Sequence, residues 1–318
     1  AGFDGQQDRG PQPAFPRPNR TRLMPDAPHP VAAFVWMTGS ITGFTALAIS
    51  GRELAGHLDT FEMMLYRSAI GLALVIAFAL ATRRQREIGV EALGLHALRN
   101  LLHYAGQNLW LYALALIPLA QLFALEFSYP ILVALTAPLF LGERLTRARV
   151  LAVLIGFAGI LVVARPFGAG SLTPGLIAAL LCALGFAGSA IVTKRLTRRV
   201  GVMSILFWLT LMQTGFSLAA AGWDGAVALP DPPSILWVAV MGVAGIGAHL
   251  SLTKALSLAP ASVVTPIDFL RLPVIAIVGM AVYNEPFDPF ALIGGAAILA
   301  ANLVNIRAES MGRVAATG

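Results

Sequence analysis

The sequence predicts an all-α membrane protein of ten spanning helices, built as two inverted repeats of five. Three observations predict it: an apolar composition, an internal duplication, and a one-sided distribution of arginines. Of 318 residues, 57% are hydrophobic and 12% are charged, with a mean hydropathy of +0.76. Soluble domains carry about 25% charged residues, so this chain cannot cover a water-facing surface. The duplication joins Tyr112–Glu143 to Lys254–Glu285 at a shift of 142 residues. Without a gap, Ala113, Leu114, Leu116, Pro118, Phe127, Ala134 and Glu143 meet identical residues, and Glu126 meets Asp268.

A span needs about 20 mainly apolar residues to cross ~30 Å of hydrocarbon. Ahead of the first span, residues 1–29 are Pro-rich and polar, with Arg17, Arg20 and Arg22. They lack the apolar core and cleavage site of a signal peptide and are expected to form a disordered cytoplasmic tail. Span 1 (30–51) places Trp36, Ser40 and Gly43 on one face, and span 2 (60–82) carries Arg67. Span 3 (93–116) has His103, Gln107 and Trp110 at i, i+4 and i+7, again one face. Pro118 leaves almost no link before span 4 (119–141), which carries Glu126 and Tyr129-Pro130. Span 5 (147–165) follows Thr146, a suitable N-cap.

The second copy begins with span 6 (172–193), whose GFAGSAIV (185–192) matches GFTALAIS (43–50) of span 1. Arg52 and Lys194 are mates at their ends, and Thr146 pairs in the same way with Asp288. Span 7 (201–222) precedes span 8 (234–257), where His249 is the mate of Gln107 and Lys254 lies near the end. Pro260 introduces span 9 (261–283), with Asp268 and Arg271, and span 10 (288–307) leads to a short tail, 308–318. The repeats are therefore about 30–166 and 167–307. Five spans per repeat is odd, so the second copy enters the membrane upside down, which places a site near the midplane between the halves.

Charge fixes the expected orientation. Arg17, Arg20, Arg22, Arg83, Arg84, Arg86, Arg144, Arg147, Arg149, Lys194, Arg195, Arg198, Arg199 and Arg307 fall on one side, against Arg52 and Arg165 on the other. The positive-inside rule makes the first side, with both termini, cytoplasmic. The net charge of +6 then needs no nucleic-acid partner. One cysteine, Cys182, excludes an intramolecular disulfide and a thiolate metal cluster. No Walker lysine loop is present, and Gly245-Ile246-Gly247 lacks the strand a nucleotide fingerprint needs. No metal or cofactor is expected.

The span order, the proline link before span 4, Arg67 in span 2 and the LGERLT run (141–146) resemble an EamA-type carrier of the drug/metabolite transporter superfamily. Within it, the chain is similar to the YddG-like bacterial amino-acid exporters. The second copy departs from the pattern, since Asn284-Glu285-Pro286 keeps only the glutamate of Gly-Glu-Arg. The resemblance covers about 30–307 and implies ten helices, a central cavity, and export of amino acids or related metabolites across a bacterial inner membrane.

Ionisable groups inside a bilayer are costly, so each needs a reason. Glu126 lies about seven residues into span 4, roughly 10 Å deep, and Asp268 lies equally deep in span 9. Inversion then sets Glu126 toward the periplasm and Asp268 toward the cytoplasm. Both are candidates to meet a substrate ammonium; the alternative is a structural ion pair, for which Arg271 stands at i+3 from Asp268. Arg271 is equally a candidate for a substrate carboxylate. Trp36, Ser40, His103, Gln107, Trp110, Tyr129 and His249 are candidate cavity residues, with helix packing and interhelical hydrogen bonds as the alternative. Arg67, Lys254, Pro118 and Pro260 are candidate gate or structural positions. Glu143 and Glu285, beside helix starts, suit a structural role. The glycines, among them Gly156, Gly159, Gly242, Gly245 and Gly247, suit close helix packing.

A secondary carrier working by alternating access follows as the expected function, acting as a monomer on a small molecule within the lipid bilayer. An intramembrane hydrolase fits less well: there is no His-Glu-x-x-His run and no serine in a nucleophile motif. A lipid flippase subunit is the third class, and polar residues on several facing helices favour a solute cavity over it.

Overall fold

A computed structural model describes residues 30–141, 146–166, 172–223 and 225–315. The expected N-terminal tail, Glu143 and most of the LGERLT run lie outside them. Among the described residues the chain is all-α: α1 (Pro30–Leu54), α2 (Thr60–Ala81), α3 (Leu93–Leu116), α4 (Leu119–Glu126), α5 (Tyr129–Leu141), α6 (Arg147–Ala164), α7 (Pro174–Leu196), α8 (Val202–Ala221), α9 (Pro232–Leu258), α10 (Ala261–Asp268), α11 (Arg271–Tyr283) and α12 (Pro289–Ala315). α12 runs on past Arg307, where a tail was expected.

Ten expected spans become twelve helices because spans 4 and 9 each break at mid-depth, after Glu126 and after Asp268. Pro130 and Pro273 stand just beyond the breaks, where each removes an N–H and its ring collides with the carbonyl four residues earlier. Nine segments among the described residues are long and apolar enough to cross a membrane. α3 falls below that apolar level because His96, Arg99, Asn100, His103, Gln107 and Asn108 crowd one helix. The polar helix is the one that builds the site.

Helix ends are set by local chemistry. Asp59 and Glu62 form a reciprocal capping box at the start of α2. Thr146 accepts from Arg149 N–H, and Asp288 accepts from Phe290 and Ala291 N–H, so the two expected mates both cap.

Packing follows the duplication. α1 lies along α9, and α3 lies along α7; each pair is the image of the other under the 142-residue shift. α2 packs on α8 and α6 on α12, each on its own mate. The repeats interleave, because the main contacts of each run to the other. At the two crossings, a Cβ on Gly43 would come within 2.8 Å of Ala248 Cβ, and one on Gly185 within 2.9 Å of Gly106 Cα. Gly43 and Gly185 are mates, as are Gly106 and Ala248, so both close approaches obey the repeat. Gly247, in contrast, has nothing within 4 Å and takes no part in packing.

With ten crossings, the start of α1 and the end of α12 lie at one end of the bundle. The opposite end is tied across the repeats. Arg52 donates to Ile117 O and to Glu285 Oε1, each at 2.9 Å, and Glu285 Oε2 accepts from Leu119 N–H at 2.8 Å. Tyr283 donates to Glu53 at 2.9 Å, and Arg165 pairs with Asp288 at 2.5 Å. Glu285 thus does more than sit beside a helix start: it caps α4, in the other repeat. Asn284, at φ +53°, turns the chain after α11 to bring it there.

Candidate functional site

The two breaks meet at the centre of the bundle. Phe127 and Phe269, mates that cap α4 and α10, touch with ring centroids 4.9 Å apart, which puts the pseudo-two-fold axis between them. Asn302 Nδ2 on α12 donates to Phe127 O, satisfying a carbonyl that the break releases.

Beside that axis stands Arg271, only 4% exposed. Its Nη2 lies 3.4 Å from Glu126 Oε1 and 3.7 Å from Asp268 Oδ2. Glu126 Oε2 accepts from Trp110 Nε1 at 2.8 Å. The guanidinium carbon also lies 4.4, 4.7 and 5.3 Å from the ring centres of Phe44, Phe127 and Phe123. The expectation that Glu126 and Asp268 occupy opposite depths is therefore not met. Each ends a half-helix that stops near the midplane, so ~10 Å of descent from opposite faces brings both to one arginine. The first repeat has no arginine at the equivalent place, because the mate of Arg271 there is Tyr129.

A cavity of about 530 Å³ opens from this triad toward the end where α1 begins and α12 finishes. Its inner wall holds Glu126, Asp268, Arg271, Trp110, Tyr129 and Pro130. His103, Gln107 and Arg99 line it from α3, His249 from α9, and Phe44 from α1. Phe186, Thr193 and Lys194 on α7, with its C-cap Thr197, carry it outward, and Thr197 and Leu256 at its rim are exposed. His103 Nδ1 is 2.8 Å from Gln213 Nε2, and His249 packs edge-on against Phe44 at 5.1 Å.

Eight of the sequence-expected cavity residues face this space: His103, Gln107, Trp110, Glu126, Tyr129, His249, Asp268 and Arg271. Two do not. Trp36 is 38% exposed and away from the cavity, and Ser40 is fully buried between helices. Both sit one to two turns before Phe44, nearer the helix start, where α1 packs on α9 rather than on the cavity. Lys254 is exposed and Arg67 lies behind the lining, bonded to Gln107 Oε1. Pro118 and Pro260 cap α4 and α10.

Arg99 and Phe44 were not singled out from the sequence, yet both line the cavity. A signal for Arg99 existed: residues 99, 103, 107 and 110 repeat at helical spacing on one face of α3. For Phe44 there was none, since an aromatic in an apolar helix reads as packing. Among the described residues no group of His, Cys, Asp and Glu could hold a metal ion.

The sequence matches the EamA-like transporter family twice, over residues 31–165 and 173–307. A riboflavin transporter of Brucella anthropi is 34% identical over 244 residues, covering 75% of this chain and 86% of that protein. An S-adenosylmethionine uptake transporter of Rickettsia bellii is 26% identical, covering 86% and 93%. A pseudopaline exporter of Pseudomonas aeruginosa is 28% identical, covering 81% and 90%. One solved crystal structure aligns with a TM-score of 0.57 at 22% identity, covering 86% of this chain and 96% of that one, which shows the fold alone.

Proposed function

This chain belongs to the EamA-like transporter family, a multi-pass bacterial membrane protein and not an enzyme, and on that premise we propose that it is a secondary carrier moving a small metabolite by alternating access. The observation that supports this most is the asymmetry of the bundle. A largely apolar cavity that carries a few charged and polar groups reaches one end between the repeats, while ion pairs and a capped helix tie the repeats together at the other. Exchange of conformations between inverted repeats would close the first end and open the second. We take the open end, with the termini, to be cytoplasmic, as its arginine excess favours.

The size of the cavity suits solutes in the usual range of small-molecule sites, about 300–1,000 Å³. Amino acids are within that range, and export of an amino acid is the reading that the sequence resemblance favours. The geometry weakens one support for it. Arg271, a candidate for a substrate carboxylate with an ion pair as the alternative, already holds Glu126 and Asp268. Relatives include proteins named for uptake and one named for export, so direction is left to the gradient.

The test is counterflow in proteoliposomes loaded with unlabelled solute, using labelled amino acids, riboflavin and S-adenosylmethionine, with and without a pH gradient. Trapping of at least one solute above protein-free liposomes is the expected result. If every solute stays at the protein-free level, the carrier reading is wrong.

A further inference from the structure

We propose that the solute of this carrier bears an oxyanion, a carboxylate or a phosphate, and that Arg99 receives it, with Arg67 adding charge from behind Gln107. The proposal rests on the carrier reading above and adds the chemical class of the solute.

Three arginines lie inside the bundle, Arg99 and Arg271 on the cavity lining and Arg67 behind it on Gln107, against two lining carboxylates, Glu126 and Asp268. Both carboxylates are committed to Arg271. Arg99 faces the cavity and donates only to neutral acceptors, Thr193 Oγ1 at 3.2 Å and Asn100 Oδ1 at 2.9 Å. Arg67 donates to Gln107 Oε1 and, at 3.5 Å, to Met64 Sδ. Among the described residues neither has a carboxylate partner. A cation within a membrane protein is costly and is normally paired or placed on a substrate path. Arg99 is on such a path, and its planar fork suits two oxygens of one anion.

Symmetry argues against a purely architectural role. The mates of Arg67 and Arg99 are Leu209 and Met241, so the duplicated scaffold closes without arginine at those places. The surroundings also fit an anion. Both arginines are within electrostatic reach of His103. The Gln213 amide N–H donates to His103 Nδ1, which leaves the ring proton on Nε2 as a neutral donor. Phe186 lies 5.6 Å from the His103 ring and lines the same wall, offering an apolar face to the body of the solute. An acid joined to a flat ring matches this wall better than a small hydrophilic ion.

Matched pairs that differ in charge test this with purified protein. Riboflavin against flavin mononucleotide reads a phosphate, and nicotinamide against nicotinate reads a carboxylate. Affinity is followed by tryptophan fluorescence and transport by counterflow. At least one acid should bind about tenfold or more tightly than its neutral mate, the size of one charge-assisted contact. R99Q should bring that acid to the level of its mate and leave the mate within about twofold, while R99K keeps part of the preference. R67Q, farther from the solute, should lower the preference by less and guards against failure of R99Q to fold. Neutral members that bind and exchange as well as acids, or a preference that survives R99Q and R67Q, would overturn the oxyanion site and leave the carrier intact. Absence of binding and exchange for every member, and for the amino acids and S-adenosylmethionine of the panel above, would instead sink the carrier reading on which the site depends.

Discussion

At the scale of single residues, the centre of the molecule is one guanidinium held by two carboxylates and three rings. Cation–π contact and ion pairing both gain strength where water is excluded, so Arg271 is a joint between α4, α10, α11 and α1. Its removal leaves two carboxylates largely out of water. R271A should therefore destabilise the protein by about 3–5 kcal/mol, the usual cost of breaking a buried pair. Thermal melting in detergent checks this, with R271K expected to recover part of the loss. E126Q is milder, because Trp110 can still donate to the amide oxygen and Asp268 still neutralises Arg271. It should keep the fold and lower the counterflow rate at least ~tenfold, if the triad rearranges between conformations. A melting point unchanged by R271A would show that the joint contributes nothing to the fold. The Asp268–Arg271 contact was legible in the sequence as an i+3 pair; the arrival of Glu126 from the other repeat was not, because it depends on both spans breaking at the same depth, which the sequence does not mark unambiguously.

Among elements, the informative contacts are those that repeat. Gly43 against Ala248 and Gly185 against Gly106 let α1 approach α9, and α3 approach α7, at distances a larger side chain forbids. G43L and G185L should each reduce folded yield by similar amounts, since the two crossings are images; size-exclusion profiles of detergent extracts measure it. G247L, with open space around it, should leave the profile unchanged. A large difference between G43L and G185L would contradict the symmetry drawn here. Span positions and the inverted repeat were readable from apolar runs and the 142-residue shift. The breaks of spans 4 and 9 were carried by Pro130 and Pro273, yet proline also occurs inside the continuous helix α5, at Pro138. Proline alone therefore did not distinguish a break from a bend.

Over the whole molecule, the two ends differ in how the repeats hold each other. Glu285 unites three functions at the tied end: partner of Arg52, acceptor for the first N–H of α4, and link between repeats. E285Q can still cap α4 but loses the ion pair, so it should loosen that end without unfolding the chain. Its direct readout is reaction of a membrane-impermeant thiol reagent with single cysteines, introduced as T197C at the cavity rim and A120C behind the tie, with buried Cys182 replaced by alanine. In protein with Glu285 intact, T197C should react readily and A120C slowly, and addition of a transported solute or the E285Q change should speed A120C while slowing T197C. Reciprocal change at the two ends is what alternating access predicts; rates that rise or fall together, or that never respond, would contradict it.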